Sequence, residues 1–493
     1  MWATDNGQGV YLKDRVGDML YAPGVGWMLW DGKRWEPVDI EFIQQKVSRF
    51  YRQQFEKALD KYKDTMDDKM FGLANAFKTF MSANRLGSIL NSLKVTDGVL
   101  VRADRLDSHP DLLNTQNGIV DLRTGNITRH DRKMLMTKVT KAKYEPGYKH
   151  DDWQDAQKAL PVDVAEFMQL RLGQAITGRM PESDDFIFMQ GGGSNGKSSW
   201  ASEGVLHAIG DYGKLAQPSL VTKVAEGATP ERAGLRGTRY VLIEELPEGK
   251  ALSIAEVKRI VGTATITARN LYEKEFTFDA THTLFITTNF MPPVSETDEG
   301  SWRRMCKVVF PYEYVSGEPQ SPNERKGDGG LKARIKEGKT GQHEAILAWL
   351  IEGAIRYYAD PSRIMLDARP DSVKADTLAW RKEADRILAF LDEHIVFDPN
   401  ATVVKQEVFN EFSKFLELHG NAKWSMVSFM ARLQGHKEYT SHRCSTAKVR
   451  TATTPISRPE LPEDVSWSSA EMSLGTQVHA IQGMRYRVRA DDV

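Results

Sequence analysis

A glycine-rich run near the middle of the chain restricts the possible folds more than any other segment. It consists of Gly191, Gly192, Gly193, Ser194, Asn195, Gly196, Lys197 and Ser198. This spacing is that of a P-loop, in which the backbone curls so that successive N–H groups point at phosphate oxygens. The apolar residues 186–189 predict a buried strand before the run, and residues 199–209 predict a helix after it. The order of strand, loop and helix predicts an α/β fold with a phosphate site at the helix N-terminus.

Three residues at the end of this run have separate expected roles. Lys197 is expected to reach the β- and γ-phosphates of a nucleotide, and the hydroxyl of Ser198 is expected to ligate Mg²⁺. Ser199 lies in the first turn of the helix, whose N–H groups face the phosphates. Residues 191–199 are therefore the predicted binding site for ATP and Mg²⁺. An ordinary glycine-rich turn is the alternative, and the matching strand and helix argue against it.

A second strand-like stretch ends in two acidic residues. Residues 240–243 are apolar and lead to Glu244 and Glu245. Open α/β sheets bind their ligands at the carboxyl ends of the strands, so one carboxylate is expected to support Mg²⁺ and the other to polarise the attacking water. Adjacent residues on a strand face opposite sides, so both need not serve. The alternative is a pair of surface glutamates that only ends a strand.

A third stretch, residues 283–288, is rich in β-branched residues and ends at Asn289. An amide at that place can hydrogen-bond the γ-phosphate or position water without adding charge. Arg303 and Arg304 follow a proline pair, and such arginines can meet the charge on a transferring phosphoryl group from a neighbouring subunit. A surface salt bridge is the commoner role of an arginine pair taken alone.

Cationic residues lie between the second and third stretches. Lys258 is followed by residues 266–278, which predict two short strands around Glu273 and Lys274, with Arg269 close to the turn. In a ring-shaped assembly such a hairpin would point at the axis, where Lys258, Arg269 and Lys274 can meet the phosphates of a threaded strand of DNA. A solvated hairpin is the alternative.

Composition excludes several classes of protein. Sixty-six Lys and Arg residues stand against 67 Asp and Glu residues, a formal charge of −1, so any polyanion site must be a local patch. Two cysteines cannot build a zinc cluster or a disulfide framework. No signal segment and no apolar stretch of about 18 residues occurs. The expectation is a soluble cytoplasmic protein, in the host cytoplasm if it is phage-encoded, with no membrane partner.

The chain divides into three predicted parts, residues 1–150, 151–365 and 366–493. In the first part, Asp31-Gly32 between aromatic flanks predicts a hairpin, and Asn117-Gly118 a second turn. Three nearby tryptophans fit a packed hairpin core better than a base-stacking platform. Residues 42–63 and 69–93 predict helices.

The last part has three predicted helices followed by a basic strand. The helices are residues 377–394, 404–418 and 425–433, and the strand carries Arg485, Arg487 and Arg489. Three helices and a basic ribbon resemble a winged helix. A solvated charged strand is the alternative.

The sequence resembles superfamily 3 helicases, and more closely the phage and plasmid helicases related to the poxvirus primase-helicase. The resemblance is carried by the P-loop, the Glu strand, and the order within residues 266–310 of Ala268-Arg269-Asn270-Leu271-Tyr272, Phe276-Thr277-Phe278, Thr287-Thr288-Asn289, Asp298 and Trp302-Arg303-Arg304. Residues 106–125 resemble the domain that precedes the ATPase in that family. The resemblance implies an AAA+-like P-loop NTPase core between an N-terminal α+β domain of helices and hairpins and a C-terminal winged-helix-like domain.

The same resemblance implies an ATP-dependent helicase that forms a ring, a homo-hexamer in the expected case, and moves from 3′ to 5′ on single-stranded or forked DNA. It makes Glu245 the Walker B carboxylate and thus the expected Mg²⁺ ligand beside Ser198, Asn289 the sensor, and Arg304, or Arg303, the arginine finger. Gly262-Thr263-Ala264 stands where the family often has Gly-Gly-Asp, so the loop entering the hairpin can differ. No primase-like Asp-x-Asp and His pattern is evident, so a separate primase or polymerase is an expected partner. The alternatives are a DNA-stimulated ATPase that loads or remodels without processive unwinding, and a DNA-binding adaptor in which ATP hydrolysis switches assembly.

Overall fold

The structure is a computed structural model that describes most of the chain. The described residues are 4–182, 184–222, 229–247, 250–269, 274–292, 294, 299–419, 423–451, 453–459 and 477–488. No helix within these residues combines the length and the apolar character needed to cross a bilayer.

The N-terminal part combines helices with two small antiparallel sheets. Its elements are α1 (Asp5–Lys13), β1 (Met19–Ala22), β2 (Gly26–Trp30), β3 (Trp35–Val38), α2 (Ile40–Thr65), α3 (Asp68–Phe80), α4 (Ala83–Lys94), β4 (Leu112–Thr115), β5 (Gly118–Asp121) and β6 (Ile127–Thr128). The predicted Asp-Gly hairpin is confirmed, because Trp30 lies opposite Trp35 across β2 and β3. Trp27 and Trp35 are 3% and 4% exposed, so the tryptophans form a packed core as expected. The predicted helical stretch 69–93 is two helices, because Ser82 takes an extended conformation before α4.

The central part alternates helices with strands. It contains α5 (Asp151–Gln157), α6 (Val162–Ala175), β7 (Phe186–Gln190), α7 (Lys197–Trp200), a π-helical segment (Ala201–Leu206), α8 (His207–Ile209), β8 (Gly213–Ala216), α9 (Ser219–Thr222), α10 (Pro230–Ala233), β9 (Tyr240–Glu244), α11 (Ile254–Val261), β10 (Thr265–Ala268), β11 (Phe276–Asp279), β12 (Thr283–Thr288), α12 (Glu299–Trp302), β13 (Met305–Val309), β14 (Glu313–Val315), β15 (Glu324–Lys326), α13 (Leu331–Glu337) and α14 (Gln342–Ala359). The helix predicted after the glycine-rich run is present, and its middle is π-helical.

Five of these strands form one parallel sheet in the order β13-β7-β12-β9-β8. Side chains alternate between its two faces. Ile187 and Met189 of β7 belong to a core that includes residues of α6 and α14, whereas Phe186 and Phe188 belong to a second core on the other face. The sheet is buried on both faces, as parallel sheets generally are, and the predicted α/β core is confirmed.

The C-terminal part joins five helices to an antiparallel sheet. Its elements are α15 (Asp371–Ala384), α16 (Arg386–His394), β16 (Ile395–Val404), α17 (Lys405–Leu418), α18 (Met426–Gly435), α19 (Lys437–Ser441), β17 (Ser445–Arg450) and β18 (Gln477–Tyr486), with sheet order β16-β18-β17. The predicted helix 377–394 is broken at Asp385, whose carboxylate accepts the N–H groups of Ile387 and Leu388 and so begins α16. The predicted basic strand corresponds to β18, and Arg489 lies outside the described residues.

Helix α15 packs on the central sheet, not only on the C-terminal part. The ring of Trp380 lies 4.8 Å from that of Phe188 and 5.1 Å from that of Trp302. A buried ion-pair cluster lies nearby, in which the two carboxylate oxygens of Asp185 contact Arg171 at 2.8 Å and Arg369 at 2.5 Å. All three side chains are at most 2% exposed. The segment before α15 is therefore held to the start of β7.

Candidate active site

The glycine-rich run forms a loop between β7 and α7, at the carboxyl end of the sheet. Gly196 has a φ of 84°, a conformation that glycine adopts without strain. Gly191 is required by close packing, since a Cβ there would lie 1.9 Å from Nδ2 of Asn195. The Nδ2 atom is buried and has no hydrogen-bond partner among the described atoms. The loop thus keeps one amide donor unused beside the cradle where phosphates are expected.

The side chain of Lys197 lies inside this loop. Its Nζ donates to the carbonyl oxygens of Gly191 and Gly192, at 2.6 and 3.0 Å, and to Oδ1 of Asn195 at 3.1 Å. It also donates to Oδ1 of Asn289 at 3.2 Å. Because the side chain is buried, desolvation lowers the pKa of Lys197, and the negative charge of Glu245 opposes that shift.

The strand order explains why these residues meet. Strand β12 lies between β7 and β9, so Asn289 at its end is placed between the glycine-rich loop and the two glutamates. Glu244 is the last residue of β9 and pairs with Thr287. Glu245 turns out of the strand with a φ of 53°, while its N–H donates to the carbonyl oxygen of Thr287 at 3.0 Å. Its exposed carboxylate is the one that acts electrostatically on Lys197.

These residues fit a Mg²⁺ ion whose coordination sphere would be completed by a nucleotide and water. Mg²⁺ is usually bound by one or two carboxylates together with substrate phosphates and water, not by a protein cage. The described residues contain no group of three or more His, Cys, Asp or Glu side chains able to hold a metal. Ser198, directly after Lys197, and Glu245 supply the hydroxyl and carboxylate that such a shared site needs.

Arg303 and Arg304 lie at the amino-terminal ends of the parallel strands, whereas the glycine-rich loop lies at the carboxyl-terminal ends. The carbonyl oxygen of Arg304 accepts the N–H of Phe186, the first residue of β7, at 2.8 Å. A five-residue strand separates that point from the glycine-rich loop, which is roughly 15 Å at 3.3 Å per residue. Both side chains contact Asp184, Arg303 at 3.9 Å and Arg304 at 3.4 Å, but that of Arg303 is 54% exposed whereas that of Arg304 is 14% exposed. Both arginines thus stand away from the phosphate cradle of their own chain.

The predicted cationic hairpin is present as β10 and β11, paired from Thr265 opposite Asp279 to Ala268 opposite Phe276. Arg269 and Lys274 are both exposed, on either side of the turn that joins the two strands. The backbone of Arg269 is fixed by Thr229, whose Oγ1 accepts its N–H at 3.1 Å and whose N–H donates to its carbonyl oxygen at 2.8 Å. Lys258 lies on α11, outside the hairpin, and residues 270–273 at the turn lie outside the described residues.

Sequence reasoning missed one part of the site, a ribbon formed by β14 and β15. The N–H of Tyr314 in β14 donates to the carbonyl oxygen of Ser194 in the glycine-rich loop at 2.8 Å. The sequence signal that could have found it is the alternation of Phe310, Tyr312 and Tyr314 directly after the last strand of the sheet. The ribbon therefore packs against one side of the glycine-rich loop.

Two family models match the chain. Residues 9–162 match the family described as D5 N terminal like, and residues 189–304 match a family of unknown function (DUF5906). The second match runs from the end of β7 to Arg304, so it contains the glycine-rich loop, both glutamates and Asn289.

The chain is similar to curated viral proteins. A proposed primase of African swine fever virus (isolate Tick/Malawi/Lil 20-1/1983) is 25% identical over 338 residues, which are 64% of this chain and 34% of that protein. A proposed helicase of Acanthamoeba polyphaga mimivirus is 23% identical over 363 residues, 69% of this chain and 36% of that protein. The chain thus spans about a third of the length of these relatives.

Among solved structures, the A form of the NrS-1 C-terminal region without ligand has a similar fold. It aligns with a TM-score of 0.51 and 12% identity, over 97% of this chain and 100% of that one. At that identity the likeness concerns the fold alone. The match of residues 9–162 and the viral relatives support a D5-like primase-helicase family for this chain.

Proposed function

We propose that the chain is the motor part of an ATP-dependent replicative DNA helicase of superfamily 3, encoded by a phage or another mobile element. The core would be AAA+-like, would form a ring, in the expected case a homo-hexamer, and would move from 3′ to 5′ on single-stranded DNA. The observation that carries the proposal is the meeting of Lys197, Asn289 and Glu245 at the carboxyl edge of the parallel sheet. These are the cation, amide and carboxylate that phosphoryl transfer requires.

Each side chain has a definite task in this proposal. The N–H groups of the glycine-rich loop and Nζ of Lys197 bind the β- and γ-phosphates, and Lys197 exchanges its present carbonyl acceptors for phosphate oxygens. Ser198 and Glu245 would hold Mg²⁺, which would neutralise charge on the phosphates. Glu245 also polarises the attacking water, and the amide of Asn289 orients the γ-phosphate.

The position of the arginines supports catalysis across a subunit boundary. Both arginines lie at the amino-terminal ends of the strands, away from the glycine-rich loop of their own chain. They would therefore serve the nucleotide of a neighbouring subunit. The family resemblance favours Arg304, but its side chain is 14% exposed and donates to the carbonyl oxygen of Gly300 as well as to Asp184. Arg303 is 54% exposed, so we assign the finger to Arg303 and a supporting role to Arg304.

DNA would be engaged by the hairpin. Exposed cations beside the turn of a hairpin suit the phosphates of a threaded strand, and Arg269 and Lys274 occupy such positions. Lys258 on the preceding helix would contribute at its base. A separate primase or polymerase is the proposed functional partner, and the host cytoplasm the proposed location.

The test is strand displacement on forked DNA with purified protein and ATP. Wild type is expected to displace the strand from a fork with a 3′ tail, and Lys197→Ala is expected to be inactive. ATP hydrolysis that single-stranded DNA stimulates, with no displacement on any fork, would instead favour the loader or remodelling alternative. DNA binding without stimulated hydrolysis would favour the adaptor.

A further inference from the structure

A large cavity opens beside the glycine-rich loop, with a volume of about 950 Å³. One wall runs from the end of α5 to the start of α6, and the other is the ribbon of β14 and β15 with the start of α13. Ser194, Gly196 and Ser199 of the expected phosphate site close one end. The volume lies at the upper end of the roughly 300–1,000 Å³ typical of small-molecule sites.

Both walls of the cavity contact the glycine-rich loop. The N–H of Tyr314 donates to the carbonyl oxygen of Ser194 at 2.8 Å. A Cβ on Gly196 would lie 3.0 Å from the Cβ of Ala159 and 3.6 Å from Cε2 of Tyr314. Both walls therefore touch the residue before Lys197, and a group joined to the phosphates enters between them.

The lining of the cavity combines apolar and charged side chains. Leu160, Pro161, Val162 and Leu331 line the cavity together with the Tyr314 ring, while Asp155, Asp328, Arg325 and Lys332 carry the charges. Burial raises the pKa of Tyr314, so its phenol stays neutral. A flat, weakly polar group with a charged tail suits this distribution.

Tyr314 is better placed to stack on a ligand than the nearby Tyr312. The guanidinium of Arg325 lies 4.1 Å from the ring centroid of Tyr312. Within the described part of the chain, no ring and no cation stacks on Tyr314 in this way. Successive residues of a strand face opposite sides, so Glu313, its exposed neighbour on β14, faces away from the Tyr314 side.

We propose that this cavity holds the nucleoside of the bound nucleotide, with the base stacked on Tyr314 and the ribose beside Gly196. The inference rests on the proposed function, because it assumes that the triphosphate occupies the glycine-rich loop. Stacking depends on the area of the base and not on its hydrogen-bonding edge. The site therefore prefers purine over pyrimidine nucleotides.

The experiment compares three ligands by calorimetry in the presence of Mg²⁺: non-hydrolysable analogues of ATP and of CTP, and inorganic tripolyphosphate. The variants are Tyr314→Ala, Tyr314→Phe and Tyr314→Leu, with Glu313→Ala as the matched control. Loss of one stacking ring is worth about 5- to 150-fold in affinity. We expect Tyr314→Ala to lose that factor for the ATP analogue, less for the CTP analogue, and nothing for tripolyphosphate.

Tyr314→Phe and Glu313→Ala should bind all three ligands like wild type. Tyr314→Leu keeps an apolar side chain at the position, so it supplies the test if the alanine variant is unstable. Unchanged affinity for the ATP analogue in Tyr314→Ala or Tyr314→Leu overturns the inference, and so does an equal loss for all three ligands, which would mean a displaced loop. Wild-type protein that binds neither tripolyphosphate nor the ATP analogue would instead overturn the proposed function.

Discussion

Nζ of Lys197 and Oδ1 of Asn289 lie 3.2 Å apart, which joins the loop after β7 directly to the end of β12. The lysine is 7% exposed and has four oxygen acceptors within 3.2 Å. A nucleotide must compete with these acceptors for the ammonium group. In the nucleotide-free protein, the ammonium group of Lys197 is therefore held in place by carbonyl and amide oxygens of the protein itself.

The first prediction concerns pH. Burial holds the pKa of Lys197 below its ordinary value of 10.5 in the free protein, and phosphate oxygens would raise it again on binding. Affinity for the ATP analogue should therefore be full below the lowered pKa and fall as the pH rises through it, at a lower pH than for an ordinary lysine. In Lys197→Arg the fall should disappear, because arginine stays charged. A wild-type profile that remains flat up to pH 10.5 would contradict the assignment.

The second prediction separates the two glutamates. Glu245→Gln should bind the ATP analogue like wild type and hydrolyse ATP at least about 100-fold more slowly, within the range expected for a lost general base. Glu244→Gln should lose less, because Glu244 remains in β9 and only Glu245 acts on Lys197. Steady-state hydrolysis and analogue binding are the two measurements. If Glu244→Gln is the more damaging change, the roles are reversed.

The third prediction tests action across a subunit boundary. Arg303→Ala should bind nucleotide normally and lose about 10³–10⁵ in hydrolysis rate, as arginine fingers do. Arg304→Ala should lose less activity and more thermal stability, because its side chain is tied to Gly300 and Asp184. Inactive Arg303→Ala mixed with inactive Lys197→Ala should regain turnover, since some interfaces then combine an intact loop with an intact finger. Proven mixing without recovery at any ratio would exclude the mechanism.

The fourth prediction concerns the hairpin. Lys274→Ala should keep ATP binding but lose DNA stimulation of hydrolysis and strand displacement. The salt dependence of single-strand binding should flatten by about 0.7 in log-log slope for each phosphate contact removed. Lys339→Ala is a matched control, because Lys339 is an exposed lysine that pairs with Glu337. Equal slopes and equal unwinding in wild type and Lys274→Ala would move DNA engagement towards Arg485 and Arg487 on and after β18.

The sequence predicted those features that depend on residues close together along the chain. The glycine-rich loop, the Asp-Gly hairpin and the strand ends at Glu245 and Asn289 each have a local pattern, so the residues around Lys197 could be predicted before any contact was known. The position of Arg303 depends on strand order, which no local pattern contains. The breaks at Ser82 and Asp385 were missed because apolar spacing continued across them, although both residues are common helix caps.

The predicted boundary near residue 365 remains a proposal that we would now move later in the chain. Trp380 is 1% exposed and packs between Phe188 and Trp302. Since α15 ends where Asp385 begins α16, the break between these two helices is the more natural limit of the central part.

The buried cluster of Asp185, Arg171 and Arg369 has a consequence for how such chains can diverge. Removing one partner leaves an uncompensated charge in the interior, at a cost of about 3–5 kcal/mol, whereas replacing the whole cluster by apolar residues can be neutral. Single substitutions at these positions should therefore be rare in descendants of this chain. The three positions should change together or not at all. Position 369 is therefore expected to covary with positions 171 and 185, although it lies far from both in the sequence.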